Sequence, residues 1–211
     1  MTVIVIIQAR LGSTRFPRKV LADLCGIPLI AHVVARAQQI PNADGVVLAV
    51  PEDDEETFSS LGLPIPVVAY TENGDEDDVL SRFAAVADVY PADIYCRLTG
   101  DCPVLRPDVA AKVIQAAIDS HGYASNDVDR SGYADGEDAE AFPRALLLRA
   151  DAEAVTRYDR EHVGPWMARQ GEVLVCNPAL KWAPPKLSVD TVEDLARVRG
   201  IIAHEHVKHI H

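Results

Sequence analysis

The sequence of 211 residues is long enough for one domain with an ordinary hydrophobic core, since a chain of this size buries about 70 % of its unfolded surface. Its composition, with 48% hydrophobic and 25% charged residues, excludes disordered and low-complexity proteins. The 32 acidic residues outnumber 20 Lys and Arg, and the net charge of −12 disfavours nucleic acid and anionic membranes as partners.

Strand-like and helix-like segments alternate along the first 120 residues. Apolar, β-branched runs predict strands that are buried in a parallel sheet, at 2–8, 45–50, 66–69 and 93–98. Apolar residues at helical spacing, or acidic and proline residues at a helix start, predict helices at 29–39, 52–56, 77–89 and 107–120. This alternation predicts a doubly wound α/β fold with right-handed crossovers.

The pattern changes after residue 120. A segment rich in Asp, Gly and Ser, residues 123–142, predicts a hairpin-like insertion. Beyond it we expect further elements, namely helices at 144–157, 160–170 and 192–203 and strands at 172–176 and 187–189. Because no repeat or linker divides the chain, we expect a single domain, 1–211, with an insertion or flap at about 123–142.

Cellular location follows from three features of the sequence. No apolar run approaches the ~20 residues that cross a bilayer. The apolar residues 1–7 are too few for a signal peptide and have no basic residues ahead of them. The 4 cysteines are scattered without a CxxC pair, which is typical of reduced thiols. We therefore expect a cytoplasmic protein.

The basic loop, residues 8–19 (QARLGSTRFPRK), follows the first predicted strand, where open α/β sheets bind ligands. Four of the ten residues from Arg10 to Lys19 are basic, and the first acidic residue of the chain is Asp23. The Gly-Ser-Thr turn at 12–14 can direct backbone N–H groups into one anion-binding cavity. A polyphosphate is therefore the expected ligand, and the alternative is a solvated basic loop. Neither GxxxxGK[ST] nor GxGxxG is present.

Two aspartates, Asp101 and Asp190, each follow a predicted strand. A hard cation such as Mg²⁺ takes one or two carboxylates together with phosphate oxygens of the substrate. The alternative for each residue is that it caps a turn or a helix. They are 89 positions apart (190 − 101), so only the fold can decide whether they act together.

Five motifs in order resemble the cytidylyltransferase family that makes CMP-activated sugars, the CMP-Kdo and CMP-sialate synthetases. The motifs are QARLGSTRFPRKVL, RLTGDCPVL, YADGEDAEAF, REHVGPW and KLSVDTVEDL. The resemblance extends from Ile4 to about Arg199. The REHV motif is similar to that of the family branch associated with spore-coat and surface polysaccharides. It implies a Rossmann-like, GT-A-like nucleotidyltransferase fold with three α/β/α layers, a mostly parallel sheet and a small β insertion.

The resemblance also implies roles for individual residues. It implies catalytic roles for Arg10, Lys19, Asp101 and Asp190, the two aspartates being ligands of Mg²⁺. It implies a CTP site formed by Gln8, Ala9, Arg10, Gly12, Ser13, Thr14, Arg15, Lys19, Thr99 and Gly100. It implies acceptor binding by Tyr133, Asp138, Glu140, Arg160, Glu161 and His162. The segment 133–142 is further implied to contribute to a homodimer interface.

This sequence departs from the family pattern at four positions. Arg18 stands where glycine is usual, Gly164 and Trp166 replace Thr and Tyr, and Lys186 replaces Arg. These departures leave the acceptor open. His162 is a candidate base, because histidine titrates near neutral pH, or else a helix-surface residue paired with its neighbours.

The expected reaction is transfer of CMP from CTP to a small acidic sugar or a related acceptor, with release of pyrophosphate, for surface polysaccharide or glycoconjugate synthesis. One alternative is a GT-A-type glycosyltransferase that uses a nucleotide sugar, although the segment around Asp101 lacks the usual DxD pair. Another is a catalytically idle nucleotide-binding subunit.

Overall fold

A computed structural model of the chain describes residues 1–177 and 185–208. In chain order, the strands are β1 (Val3–Gln8), β2 (Asp23–Leu24), β3 (Ile27–Pro28), β4 (Gly45–Val50), β5 (Val67–Ala69), β6 (Ile94–Thr99), β7 (Tyr123–Ser125), β8 (Glu140–Pro143) and β9 (Glu172–Leu174). The helices are α1 (Leu29–Ala37), α2 (Glu55–Ser60), α3 (Val79–Val89), α4 (Pro107–Ser120), α5 (Val128–Ser131), α6 (Arg144–Glu153), α7 (Arg157–His162), α8 (Gly164–Ala168) and α9 (Val192–Lys208). Short 3-10 helices lie at Lys19–Leu21 and Glu52–Asp54.

Seven strands form one sheet in the order β5-β4-β1-β6-β8-β7-β9, and β2 and β3 form a separate hairpin. Within the large sheet, β8 is antiparallel to both of its neighbours and the other pairs are parallel. Gln8 pairs with Thr99, so β1 and β6 end at the same level. The predicted mostly parallel α/β fold is confirmed.

Helices cover both faces of the sheet because both faces of the central strands are apolar. Val3, Val5 and Ile7 of β1 pack in a core with α1, α4 and α9. Ile4 and Ile6 point the other way, into a core with α3, α6 and α8. All five side chains are buried, which explains why this strand has no polar alternation. Within the described residues, no helix is both long and apolar enough to cross a membrane.

The segment 123–142 differs from the expected flap, because its strands β7 and β8 pair with each other and β8 also pairs with β6. The reason is burial on both faces: Ala141 packs in one core and Phe142 in the other. The segment thus completes the main sheet with an antiparallel strand.

Two further predictions of secondary structure were wrong. The expected helix at 160–170 is broken at Val163, which has φ 67° and ψ −60°, and α8 restarts with Pro165 in its first turn. The expected strand at 187–189 is irregular backbone. There Leu187 and Ser188 donate to the Asp135 carbonyl, so these amides do not join a strand ladder.

Gly100 follows β6, and a Cβ atom at this position would lie 2.9 Å from both the Cβ atom of Ala9 and the carbonyl oxygen of Gln8. We predict that Gly100→Ala lowers the free energy of unfolding by about 1–3 kcal/mol, because the backbone must shift to relieve the overlap. Gly200 in α9 faces open space, so the control Gly200→Ala should raise that free energy by up to about 1 kcal/mol. Denaturant titration measures both, and an unchanged Gly100→Ala variant contradicts the prediction.

Candidate active site

A cleft of about 410 Å³ opens at the carboxyl ends of β1 and β6. Its lining includes every residue predicted to bind nucleotide, namely Gln8, Ala9, Arg10, Gly12, Ser13, Thr14, Arg15, Lys19, Thr99 and Gly100. Asp101 and Asp190 line the same cleft, which we call the nucleotide cleft. The structure therefore brings together residues from the first and the last parts of the chain.

Lys19 holds the two predicted metal ligands together. Its Nζ atom lies 2.6 Å from Asp101 Oδ2 and 2.9 Å from Asp190 Oδ1. Burial by itself lowers the pKa of Lys19, but the carboxylates of Asp101 and Asp190 outweigh burial, so the pKa is raised and the ammonium stays charged. The backbone makes the same connection, since the amide of Val189 donates to the Asp101 carbonyl at 2.9 Å.

The other carboxylate oxygen of Asp190, Oδ2, forms an ion pair with Lys186. Lys186 Nζ lies 2.8 Å from Asp190 Oδ2 and 3.1 Å from Asp194 Oδ2. Burial raises the pKa of Asp190, but Lys186 and Lys19 outweigh it and bring the pKa down to about 2. Asp190 is therefore an anion whose orientation is set by cations on two sides. Sequence reasoning noted Lys186 only as a departure from the family pattern.

Two further cations of the basic loop, Arg15 and Arg10, are also paired. Arg15 lies 3.0 Å from Asp190 Oδ1, and its side chain is 68% exposed. Arg10 forms an ion pair with Asp77, and this hydrogen bond is the main reason that the pKa of Asp77 is lowered. Arg157 of α7 bonds to the same carboxylate, so Asp77 links the basic loop to α7.

Part of the predicted anion-binding turn is used by the protein itself. The amide of Leu11 donates to Asp54 at 2.8 Å, and that of Ser13 donates to the Leu11 carbonyl at 2.9 Å. In the described part of the chain, the amides of Gly12 and Thr14 have no such acceptor. The turn therefore offers two N–H groups to a ligand instead of the full set that the sequence suggested.

Arg82 lines the nucleotide cleft and was missed in the sequence. Its side chain is 1% exposed and donates to the carbonyls of Tyr70 and Glu76. No carboxylate in the described chain lies within ion-pair distance of it, and burial lowers its pKa. The available signal was an arginine between the apolar Leu80 and Phe83 of a predicted helix.

A second cleft, of about 660 Å³, adjoins the first and shares Arg97 and His162 with it. We call it the acceptor cleft. Arg97, which sequence reasoning also missed, donates to Gln8 Oε1 at 2.8 Å and to Glu140 Oε1 at 2.6 Å. Asp138 and Glu140, two of the residues for which the resemblance implied acceptor binding, line this cleft.

Burial governs both acidic side chains of the acceptor cleft. It raises the pKa of Asp138 to about 6 and raises the pKa of Glu140 despite the ion pair with Arg97. Gly164 packs tightly against the same carboxylate, because a Cβ atom there would lie 2.4 Å from Glu140 Oε2 and 2.5 Å from the Tyr123 hydroxyl. The family's usual Thr at position 164 does not fit this arrangement.

The other four residues predicted to bind the acceptor are dispersed. His162 lines both clefts and packs on Tyr158, with ring centroids 4.6 Å apart, whereas Glu161 lines the nucleotide cleft. Tyr133 is buried and lines neither cleft.

Arg160 lines neither cleft and forms an internal anchor. Its guanidinium lies 2.7 Å from Asp78 and 2.8 Å from Asp151. These ion pairs tie α7 to the start of α3 and to the end of α6. We therefore leave Arg160 and Tyr133 out of the site proposed below.

Fold and site together define a class of protein. A cationic cleft at the carboxyl edge of a mostly parallel α/β sheet, with two carboxylates at its end, is the arrangement of a nucleotide-binding enzyme. A sequence model of the cytidylyltransferase family matches residues 4–193. The chain belongs to this family and is a nucleotidyltransferase.

Known proteins similar to this chain agree with that assignment. The 3-deoxy-manno-octulosonate cytidylyltransferase of Anaeromyxobacter dehalogenans is 36% identical over 244 residues, which cover 95% of this chain and 98% of that protein. A solved cytidylyltransferase from Leptospira borgpetersenii superposes with a TM-score of 0.81 at 26% identity, covering 97% of this chain and 87% of that one. A CMP:2-keto-3-deoxy-manno-octonic acid synthetase complexed with CTP shares the fold, with a TM-score of 0.69, 20% identity and coverage of 97% and 100%.

The raised pKa of Asp138 predicts a pH-dependent stability. Between about pH 4 and pH 6 the folded protein holds a proton that the unfolded chain has lost, so stability falls as the pH rises through this window. We predict that Asp138→Asn is more stable than the wild type above pH 6, by up to about 3 kcal/mol, and equally stable near pH 4. Urea titrations across this range measure the difference, and a difference independent of pH contradicts the assignment.

Proposed function

We propose that this protein transfers CMP from CTP to a small sugar acid or a related acceptor and releases pyrophosphate. The observation that carries the proposal is the meeting of Asp101, Asp190 and Lys19 at one end of a cleft lined by the basic loop. Support for CTP as the nucleotide comes from the cytidylyltransferase family. Support for a sugar-acid acceptor comes from the name of the Anaeromyxobacter relative.

In the proposed reaction, an acceptor oxygen bonds to the α-phosphorus of CTP while the bond from that phosphorus to the β-phosphate oxygen breaks. Negative charge grows on the departing pyrophosphate, and Arg10, Arg15 and Lys19, which line the cleft, would neutralise it. Arg82 adds a cation that needs no carboxylate partner to be displaced. Positioning and electrostatic stabilisation supply most of the catalysis in such a transfer.

The acceptor occupies the second cleft in this proposal. His162 lies at the boundary between the two clefts, where a base for the acceptor hydroxyl is required. Asp138 and Glu140 offer carboxylate oxygens to sugar hydroxyl groups. Arg97 holds Gln8 on one side and Glu140 on the other, so it fixes the two clefts relative to each other.

The two aspartates suit a divalent cation of the Mg²⁺ type. No group of three or more metal-ligating residues is present in the described chain, so the protein supplies a carboxylate pair and leaves further positions to phosphate oxygens. When bound, such a cation neutralises phosphate charge and orients the reacting groups. Asp190 is kept ionised and aimed for this task by Lys186.

The decisive experiment measures pyrophosphate release with CTP, UTP, ATP or GTP against a panel of sugar acids, phosphosugars and phosphonates. We expect release with CTP, in the presence of Mg²⁺, for at least one sugar acid. Release of a nucleoside diphosphate from a nucleotide sugar instead identifies a glycosyltransferase. No turnover across the panel identifies an idle binding subunit.

We predict that Asp101→Asn, Asp190→Asn and Lys19→Ala each lower the rate of pyrophosphate release by about 100-fold or more. Each Asn variant removes a carboxylate that would hold the divalent cation, and Lys19→Ala removes a cation that would neutralise the phosphates. Asp108→Asn is the matched control, since Asp108 is an exposed carboxylate that pairs with Arg106 outside the nucleotide cleft. Circular dichroism checks that each variant is folded. A folded Asp101→Asn variant with wild-type rate contradicts the proposed site.

Location and assembly remain predictions of the sequence. We propose that the enzyme acts in the cytoplasm as a homodimer, in which the segment 133–142 contributes to the interface. Light scattering on the purified chain measures the mass in solution, and a monomeric mass of 22.9 kDa contradicts the dimer.

A further inference from the structure

We propose that Lys19 is a displaceable internal cation that keeps divalent metal off the carboxylate pair until the phosphates of a nucleotide draw its ammonium away. Metal and nucleotide then bind with strong mutual dependence. This inference rests on the proposed function, because it assumes that the cleft receives a nucleoside triphosphate together with a divalent cation.

The ammonium of Lys19 occupies the oxygens that a metal requires. Asp101 Oδ2 and Asp190 Oδ1 both lie within 3 Å of the one Nζ atom, at 2.6 Å and 2.9 Å. A divalent cation of the Mg²⁺ type approaches carboxylate oxygens to about 2.0–2.1 Å, so it and the ammonium cannot share this position. The Lys19 side chain is only 13% exposed, so solvent screens these contacts weakly.

Both carboxylate oxygens of Asp190 contact cations while Lys19 stays in place. Its Oδ1 atom accepts from Lys19 and lies 3.0 Å from Arg15, and its Oδ2 atom accepts from Lys186. Lys186 is anchored by Asp194 as well, on the side away from Lys19. Departure of Lys19 therefore leaves the inward oxygen in contact with Arg15, whose side chain is 68% exposed and has room to move aside, while Lys186 keeps the carboxylate aimed at the cleft.

Local charge makes the metal depend on the nucleotide. Ion pairs connect four cations with three carboxylates here, for a local sum of +1. The cations are Lys19, Arg15, Lys186 and Arg197, and the carboxylates are Asp101, Asp190 and Asp194. A divalent ion alone raises this sum to +3, which disfavours its binding in a partly buried site. A triphosphate that arrives with the ion reverses the sign and gives the Lys19 ammonium new acceptors within reach of its flexible stem.

This coupling is reciprocal: nucleotide tightens metal binding by the same factor by which metal tightens nucleotide binding. Couplings of this kind between two ligands are about 5–150-fold. A neutral side chain at position 19 removes the competing cation, so it should strengthen metal binding in the absence of nucleotide, although the same change weakens phosphate binding.

The test measures binding of Mn²⁺ alone, from the electron paramagnetic resonance signal of the free ion, to the full chain without nucleotide. We expect Lys19→Met to bind Mn²⁺ about tenfold or more tightly than the wild type. Lys112→Met is the control of equal charge change, because Lys112 pairs with the carboxylate of Asp108 at 3.6 Å on an exposed surface. It should bind Mn²⁺ as the wild type does.

Three additional measurements make the outcome specific. Addition of CTP should tighten Mn²⁺ binding to the wild type by a larger factor than it tightens Mn²⁺ binding to Lys19→Met. Asp101→Asn combined with Lys19→Met should lose the gain, which locates the ion at the carboxylate pair. Lys19→Gln serves as a second neutral variant if thermal melting shows that Lys19→Met is not folded.

Equal Mn²⁺ affinity of the wild type and both neutral variants overturns the displacement, and so does an equal gain in Lys112→Met. Failure of the proposed function would look different, because the wild type would then neither bind CTP nor release pyrophosphate. The comparison of Mn²⁺ affinities without nucleotide could still be made in that case. If the wild type releases pyrophosphate but the neutral variants gain no Mn²⁺ affinity, the proposed function stands and only the proposed role of Lys19 is wrong.

Discussion

The contact of one ammonium with two carboxylates organises the active end of this protein. Asp101 follows β6 and Asp190 precedes α9, so the two residues lie in different connections of the fold, and both are half-buried. Two carboxylates that approach one another repel, and a partly buried cation between them attracts both. Lys19 supplies this cation from the basic loop, and thereby connects three distant parts of the chain.

The same contact explains how an acidic protein keeps an anion-binding cleft. Asp77, Asp101 and Asp190 pair with Arg10, Arg15 and Lys19 of the basic loop, so the cleft is not a bare positive surface. Arg82 differs, because among the described residues its side chain donates to carbonyl groups and to no carboxylate. In the proposed function, a triphosphate therefore meets cations that must exchange a carboxylate for a phosphate oxygen, which favours the ligand that brings its own metal ion.

The two clefts are coupled through short polar links. Arg97 spans from Gln8 in β1 to Glu140 in β8, and His162 sits at the end of α7 where both clefts meet. Close packing of Gly164 against Glu140 and Tyr123 leaves no room for a larger side chain in this part of the acceptor cleft. Acceptor choice within the family is therefore expected to depend on residues around Glu140.

Sequence by itself determined the mostly parallel α/β architecture, the basic loop and the two aspartates, because local periodicity and motif order depend on neighbouring residues. Tertiary structure alone decided that Lys19 joins Asp101 to Asp190, that Arg82 and Arg97 face the clefts, and that Arg160 is an anchor. It also decided that 187–189 is irregular, since its amides bond to carbonyls of Asp135 and Asp101. Partners separated by up to 171 positions leave no periodic signal in one sequence, so only the folded chain shows which charges meet.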